Sequence, residues 1–286
     1  MISLSGKSAL ITGGSRGIGR ATAILLARAG ADVAITYQSQ QGAALEVKAL
    51  VENMGRRCLA LRAEISSASE VRGAVEEMVR AYGRVDVLVN NAGIWTDLEL
   101  GSGDLKAWKE TMEVNLDSVF YFTDAVVPHM KKARQGRIIN IGSTAGIRGE
   151  AHHSHYAATK GALNALTKSW AVELAPYNIR VNLVAPGWVD TDMCAGVFRD
   201  PAFKESVRQS IPLKRIPPPE DIAGPVLFLA PTWPDTSPAR SLTSTAALCC
   251  VDRVGFPVPF VRLSKKPPRY ELRKSLFFDK LRFSIQ

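Results

Sequence analysis

No stretch of this 286-residue chain approaches the roughly 18 consecutive apolar residues that a bilayer span needs, and Met1-Ile2-Ser3-Leu4-Ser5-Gly6-Lys7 carries no secretion-signal pattern. A cytoplasmic location with no membrane partner is the expectation. Cysteine is scarce: Cys58, Cys194, Cys249 and Cys250 have neither metal-ligand nor disulfide spacing and read as reduced, incidental thiols. Three of the four histidines crowd at His152, His153 and His155, but no Cys or His cluster elsewhere joins them, so no metal site is expected. A strongly charged body is also missing. The formal charge is +9, yet residues 231–286 hold ten Lys/Arg against four Asp/Glu, which leaves 26 and 23 in the first 230. Basicity is mostly a property of the tail, which argues against a nucleic-acid partner for the body.

What is present suits one large α/β domain, or one domain with a tail: 46% of residues are hydrophobic and 22% charged. The first 230 residues alternate short β-branched runs with helical patterns, as a doubly wound parallel sheet of the Rossmann type requires. Strands are predicted at 7–12, 32–37, 57–62, 85–89, 137–141 and 180–184. Helices are predicted at 20–29, 41–54, 69–82, 155–175 and, as one long element, 108–132. The candidate functional residues fall at or just beyond the carboxyl ends of strands, where open parallel sheets bind ligands.

Between the first strand and first helix lies Thr12-Gly13-Gly14-Ser15-Arg16-Gly17-Ile18-Gly19. Glycines in that context let backbone approach a pyrophosphate on the helix N-terminus; the same sequence would also make a plain tight turn. The second strand ends Thr36-Tyr37-Gln38-Ser39, without the acid that binds a free ribose 2′-hydroxyl and repels a 2′-phosphate. Arg16 offers a guanidinium to such a phosphate, which favours NADPH over NADH, although a solvated surface role is open to it as well. Tyr156 and Lys160, four apart in a helical segment, leave one face about a turn apart. A close ammonium would draw the phenol's pKa down toward the working range, and the same pair is common on solvated helices.

With the glycine loop, Asn90-Asn91-Ala92-Gly93, Ser143, Tyr156-x-x-x-Lys160 and Pro186-Gly187 in this order, residues 4–230 resemble the short-chain dehydrogenase/reductase family. Within it they are similar to the 3-oxoacyl-[acyl-carrier-protein] reductases, through the glycine loop, Asn178-Ile179-Arg180-Val181-Asn182 and Ala185 to Met193. The resemblance implies reduction of a 3-oxoacyl thioester to the hydroxyl compound with NADPH, in fatty acid biosynthesis, by a homotetramer. It implies that Ser143 hydrogen-bonds the carbonyl oxygen and Tyr156 gives it a proton. Lys160 would bind the nicotinamide ribose, and Asn115 would hold a water linking Lys160 to solvent. Read without the family, Ser143 is a loop hydroxyl and Asn115 a helix-interior polar residue. Cofactor contacts are implied for Gly13, Ser15, Arg16, Gly17, Ile18, Gly19, Gln38, Glu64, Ile65, Asn91, Ala92, Gly93, Tyr156, Lys160, Pro186, Gly187, Val189 and Thr191. Substrate identity is expected in 94–103, 146–153 and the lid around 194–211, with Trp95, Trp188, Phe198 and Phe203 suiting a moderately apolar substrate. Arg134, Arg137 or Arg148 would face an acidic acyl-carrier protein, or serve as surface charges. Alternatives within the same fold are an alcohol or sugar dehydrogenase and a dinucleotide-binding protein made inactive by its C-terminus.

That C-terminus departs from the family after Ala230. Where relatives continue with a Thr-Gly-Glu segment and a last strand, this chain runs Pro231-Thr232-Trp233-Pro234-Asp235 and on through Cys249-Cys250 into a basic segment. Reading the back-translated codons one nucleotide earlier forces Ala across Trp233/Pro234, His or Tyr across Asp235/Thr236 and Leu across Cys249/Cys250. The degenerate positions then permit Ile-Thr-Gly-Glu-Ile-Leu-Asn-Val-Asn-Gly-Gly in register with Ala230. Residues 231–286 therefore resemble an out-of-frame translation of the family ending. The expectation is a domain over 1–230 that lacks the last strand, followed by a divergent, poorly ordered tail that puts the tetramer in doubt. Resequencing the gene across codon 231 should recover one further nucleotide; an error-free reading of the 286-residue frame, with a well-expressed 286-residue product, rules out a sequencing error as the source of the shift.

Overall fold

A computed structural model describes residues 2–231 and the short strand Thr245–Ala246. In chain order, β1 (Ser8–Ile11), α1 (Gly17–Arg28), β2 (Asp32–Tyr37), α2 (Gln41–Glu52), β3 (Cys58–Arg62), α3 (Ala68–Tyr82) and β4 (Val87–Asn90) form the first half. The second half holds α4 (Leu105–Met112), α5 (Ser118–Ala133), β5 (Gly136–Ile141), α6 (Ala145–Arg148), α7 (Ser154–Leu174), β6 (Ile179–Val184), α8 (Pro201–Ser210), α9 (Pro219–Leu229) and β7 (Thr245–Ala246). The strands run parallel in the order β3-β2-β1-β4-β5-β6-β7, the doubly wound arrangement in which the chain reverses direction between β1 and β4.

Strands buried on both faces are mostly apolar, and β4 and β5 are buried at every position, their polar Asn90, Arg137 and Asn140 each held by hydrogen bonds. Alternation then assigns side chains to two cores. From β1, Ala9 and Ile11 join Leu26, Val47 and Val226 of α1, α2 and α9, while Leu10 joins Val75, Phe122 and Leu174 of α3, α5 and α7. Local chemistry stops the helices where the sheet needs them to stop. Ser67 accepts a hydrogen bond from Glu70 N at the start of α3, and Gly83 ends that helix at φ 75°. Asp104 and Asp200 cap α4 and α8 in the same way.

The predicted long helix over 108–132 is not continuous. Between α4 and α5 the backbone widens into a π turn, Glu113–Asp117, closed by Ser118 N on Glu113 O. The last strand, expected to be absent, is represented by two residues: Thr245 pairs with Leu183 and Ala246 with Val184, parallel to β6. An open sheet edge presents backbone donors and acceptors that recruit whatever extended chain lies near. The frame and order expectations for the rest of the tail fall on residues outside those described.

Candidate active site

The carboxyl ends of β1 and β4 are joined through one hydroxyl. Thr12 Oγ1 accepts from Asn91 N and Ala92 N, both at 2.9 Å, and the Asn91 amide donates to Thr12 O at 2.9 Å and Gly13 O at 3.2 Å. The glycine loop is thereby held against the Asn90-Asn91-Ala92-Gly93 turn. Gly13 and Gly17 take φ of 63° and 53°, where a side chain is strained. A Cβ on Gly14 would run into Ile35, and one on Gly19 into the Gly13 carbonyl oxygen. The N-terminus of α1 has neither a side-chain cap nor an acid in its first turn, so its free N–H groups and dipole are open to an anion. These features fit a dinucleotide pyrophosphate.

At the far end of the cleft Gln38 Nε2 donates to Glu64 Oε2, and Ser66 N and Oγ donate to Glu64 Oε1 at 3.2 and 2.9 Å. Partial burial works to raise this carboxyl, but the bonds from Ser66 and Gln38 hold it below its ordinary range. A carboxylate thus lies beside Gln38 although β2 itself ends without an acid. Both of its oxygens are already engaged by protein donors.

Helix α7 carries a buried stripe of His155, Thr159, Lys160, Leu163, Thr167, Ala171 and Leu174, in which a lysine is the anomaly. Lys160 Nζ donates to Ile141 O at 2.9 Å, and burial brings its ammonium down to about 8. Tyr156, one residue off the stripe, is half-buried. Its burial pushes the phenol up to about 12, against a side-chain hydrogen bond with Ser143 that pulls it down. The expected lowering of the phenol by Lys160 is not what this geometry gives, because Nζ is turned to Ile141 O and sits 5.7 Å from the Tyr156 ring centroid. Ser143 follows β5, and Thr144 N donating to Pro186 O at 2.9 Å ties that turn to the one after β6.

Asn115, fully buried, occupies the middle of the π turn. Its Oδ1 accepts from Ile94 N and its Nδ2 donates to Ile94 O, each at 2.8 Å. A Cβ on Gly93 would lie 3.0 Å from Asn115 Oδ1 and 3.6 Å from Lys160 Nζ, so this glycine lets the two side chains converge. Of the catalytic and cofactor-contact residues expected from the sequence, all but Gly19 and Asn115 line one cleft of about 420 Å³; Trp95 and Trp188 line it too, and Phe198 and Phe203 do not. Gly19 packs behind the loop and Asn115 behind Ile94. A residue the sequence did not single out for the site is Ile141, whose carbonyl anchors Lys160, while Cys194, at the start of the expected lid, lines the cleft with its thiol pKa raised by burial. A backbone carbonyl leaves no sequence signal. Of the three arginines considered for an acidic partner, Arg148 lines the cleft. Arg137 is 2% exposed, donating to Pro231 O, Gly136 O and Asn178 O, and Arg134 sits over Tyr177 at the amino end of β5. The histidines tie down the loop after β4, with His153 Nδ1 2.7 Å from Thr96 O and His155 Nε2 3.0 Å from Thr96 Oγ1.

Among the described residues no helix is long and apolar enough to cross a membrane. A family model described as enoyl-(acyl carrier protein) reductase matches residues 13–237. The chain is 40% identical over 230 residues to a 3-oxoacyl-[acyl-carrier-protein] reductase of Synechocystis, covering 80% of this chain and 91% of that protein. It is 40% identical over 227 residues to the protein of the same name from Thermotoga maritima, covering 79% and 91%. Among solved structures it is similar to a putative NAD(P)-dependent gluconate 5-dehydrogenase from Beutenbergia cavernae with bound NADP. That match has a TM-score of 0.76 and 35% identity, and covers 80% of this chain and 91% of that one.

The depressed Lys160 pKa has a measurable stability consequence. Below about 8 the folded protein bears the full cost of a buried ammonium, and that cost is relieved as pH rises toward the 10.5 of a free lysine. Lys160→Met should therefore lose stability relative to wild type across this window, by on the order of 3 kcal/mol in total. Denaturant melts at stepped pH measure it, and a flat difference would contradict the buried-ammonium assignment.

Proposed function

As this chain belongs to the short-chain dehydrogenase/reductase family and is an oxidoreductase, we propose that it is an NADPH-dependent reductase of 3-oxoacyl thioesters presented on an acyl-carrier protein, serving fatty acid biosynthesis. The observation that carries this reading is the cleft in which Ser143, Tyr156 and Lys160 face the glycine loop. Gly13, Ser15, Gly17 and Ile18 would hold the pyrophosphate at the start of α1, and Arg16 the 2′-phosphate. NADPH, when bound, supplies the hydride that goes to the carbonyl carbon.

The chain's own residues handle the oxygen. Ser143 and Tyr156, both on the cleft, donate to the carbonyl oxygen, and the Tyr156 proton passes to it as negative charge develops. A phenol held at about 12 is fully protonated at neutral pH and so is loaded for donation. Lys160, buried and lowered to about 8, releases a proton more readily than a free lysine and can restore the phenol. Asn115 contributes by fixing Ile94 and the loop that follows it. Arg148 is the basic residue on the cleft that would meet an acidic carrier protein.

Tyr156→Phe should lower kcat with a 3-oxoacyl thioester by about a hundredfold or more while NADPH still binds. Retained turnover in that variant, followed by loss of NADPH absorbance, would remove Tyr156 as proton donor. Arg16, 61% exposed and only 3.9 Å from Asp192 at closest, is free to turn to a phosphate at little cost. Arg16→Ala should raise the KM for NADPH by about tenfold, equivalent to one charge-assisted contact, and leave that for NADH nearly unchanged. An equal change for the two cofactors would count against the 2′-phosphate assignment.

A further inference from the structure

Two tryptophans on the cleft, Trp95 and Trp188, are backed by aromatic rings from neighbouring segments. Trp95, on the loop after β4, stacks on His153 at a centroid distance of 4.3 Å and an interplanar angle of 26°. The same Trp95 meets Trp188, on the loop after β6, edge to face at 5.7 Å and 83°. Trp188 in turn contacts Phe198 and Phe203 of the lid, each at 5.7 Å. Each ring is braced from behind. Besides the His153 bond to Thr96 O, Leu98 N donates to His152 O at 2.7 Å, which clamps the Trp95 loop onto the start of α7. Trp188 rests on the small lid core of Cys194, Phe198, Val207 and Ile211.

Both tryptophans line the same cleft as Ser143 and Tyr156. The edge-to-face Trp95–Trp188 contact joins the loop after β4 to the loop after β6, and Trp188 carries that contact on to the lid. The cleft, of about 420 Å³, must hold both a dinucleotide and a substrate.

We propose that Trp95 and Trp188 form a chain-length gate that closes the acyl end of the site and selects compact 3-oxoacyl groups over long ones. This rests on the reading of the chain as a 3-oxoacyl thioester reductase. The gate makes specificity a property of one ring contact between two loops. Removing either indole opens a path for a longer apolar tail, whose added methylenes then contribute binding where wild type excludes them.

The test compares kcat/KM for 3-oxobutanoyl and 3-oxododecanoyl pantetheine thioesters in the full-length wild type, in Trp95→Ala and in the more conservative Trp188→Phe. Trp95 is half-buried on a loop, so its truncation spares the sheet. Wild type should favour the short substrate, and Trp95→Ala should shift the long-to-short ratio upward by about tenfold or more, with a smaller shift in the same direction for Trp188→Phe. An unchanged ratio in both variants overturns the gate. Calorimetric binding of the saturated butanoyl and dodecanoyl thioesters gives a readout independent of turnover. If wild type binds them but reduces neither 3-oxo compound, the reductase reading falls, and the gate stands or falls on whether the binding ratio shifts in Trp95→Ala.

Discussion

The hydroxyl of Thr12 is the point on which the site turns. By accepting from two successive backbone N–H groups after β4, it locks the glycine loop to the turn that carries Gly93. The reversal of direction between β1 and β4 opens a crevice there, and this stitch fixes its width. Everything downstream assumes that width. Gly93 leaves room for Asn115 and Lys160 to meet, and Ile94 is held by Asn115. A threonine supplies two acceptor lone pairs at the end of a buried strand without burying an unmet charge.

Local pattern made most of the frame legible. Runs such as Val87 to Val89 and Ile138-Ile139 are apolar on both faces, as a parallel sheet covered on both sides requires. The glycine loop and the Tyr156/Lys160 spacing were readable for the same reason, being contiguous in sequence. Features set by contacts across the fold were not. The break at Glu113–Asp117 exists because Asn115 reaches Ile94, 21 residues earlier, and helical periodicity contains no trace of it. Glu64 reaches Gln38 because β2 and β3 end side by side, which brings an acid to a strand end that has none of its own. Arg137 looked like a surface charge, yet its position in β5 places it beneath Pro231 and Asn178.

The Tyr156/Lys160 pair shows how burial reorders a simple electrostatic expectation. Side by side in water, an ammonium lowers a neighbouring phenol. Inside this cleft desolvation acts on both groups and favours the neutral form of each, so the phenol rises and the lysine falls. The result is a protonated phenol beside an ammonium that gives up its proton more readily than a free lysine does. Ser143 then tempers the phenol through its hydrogen bond.

The π turn can also be read as a record of length. It amounts to one residue inserted into a helix that would otherwise run unbroken from Leu105 to Ala133. Each residue added to or taken from an α-helix rotates all that follows by about 100°. The segment is therefore counted to the residue: one fewer would heal the helix and swing Asn115 off Ile94, and one more would turn Phe122 and Val126 out of the core. A substitution on its exposed face leaves that count intact, whereas an insertion or deletion here displaces either the site or the core.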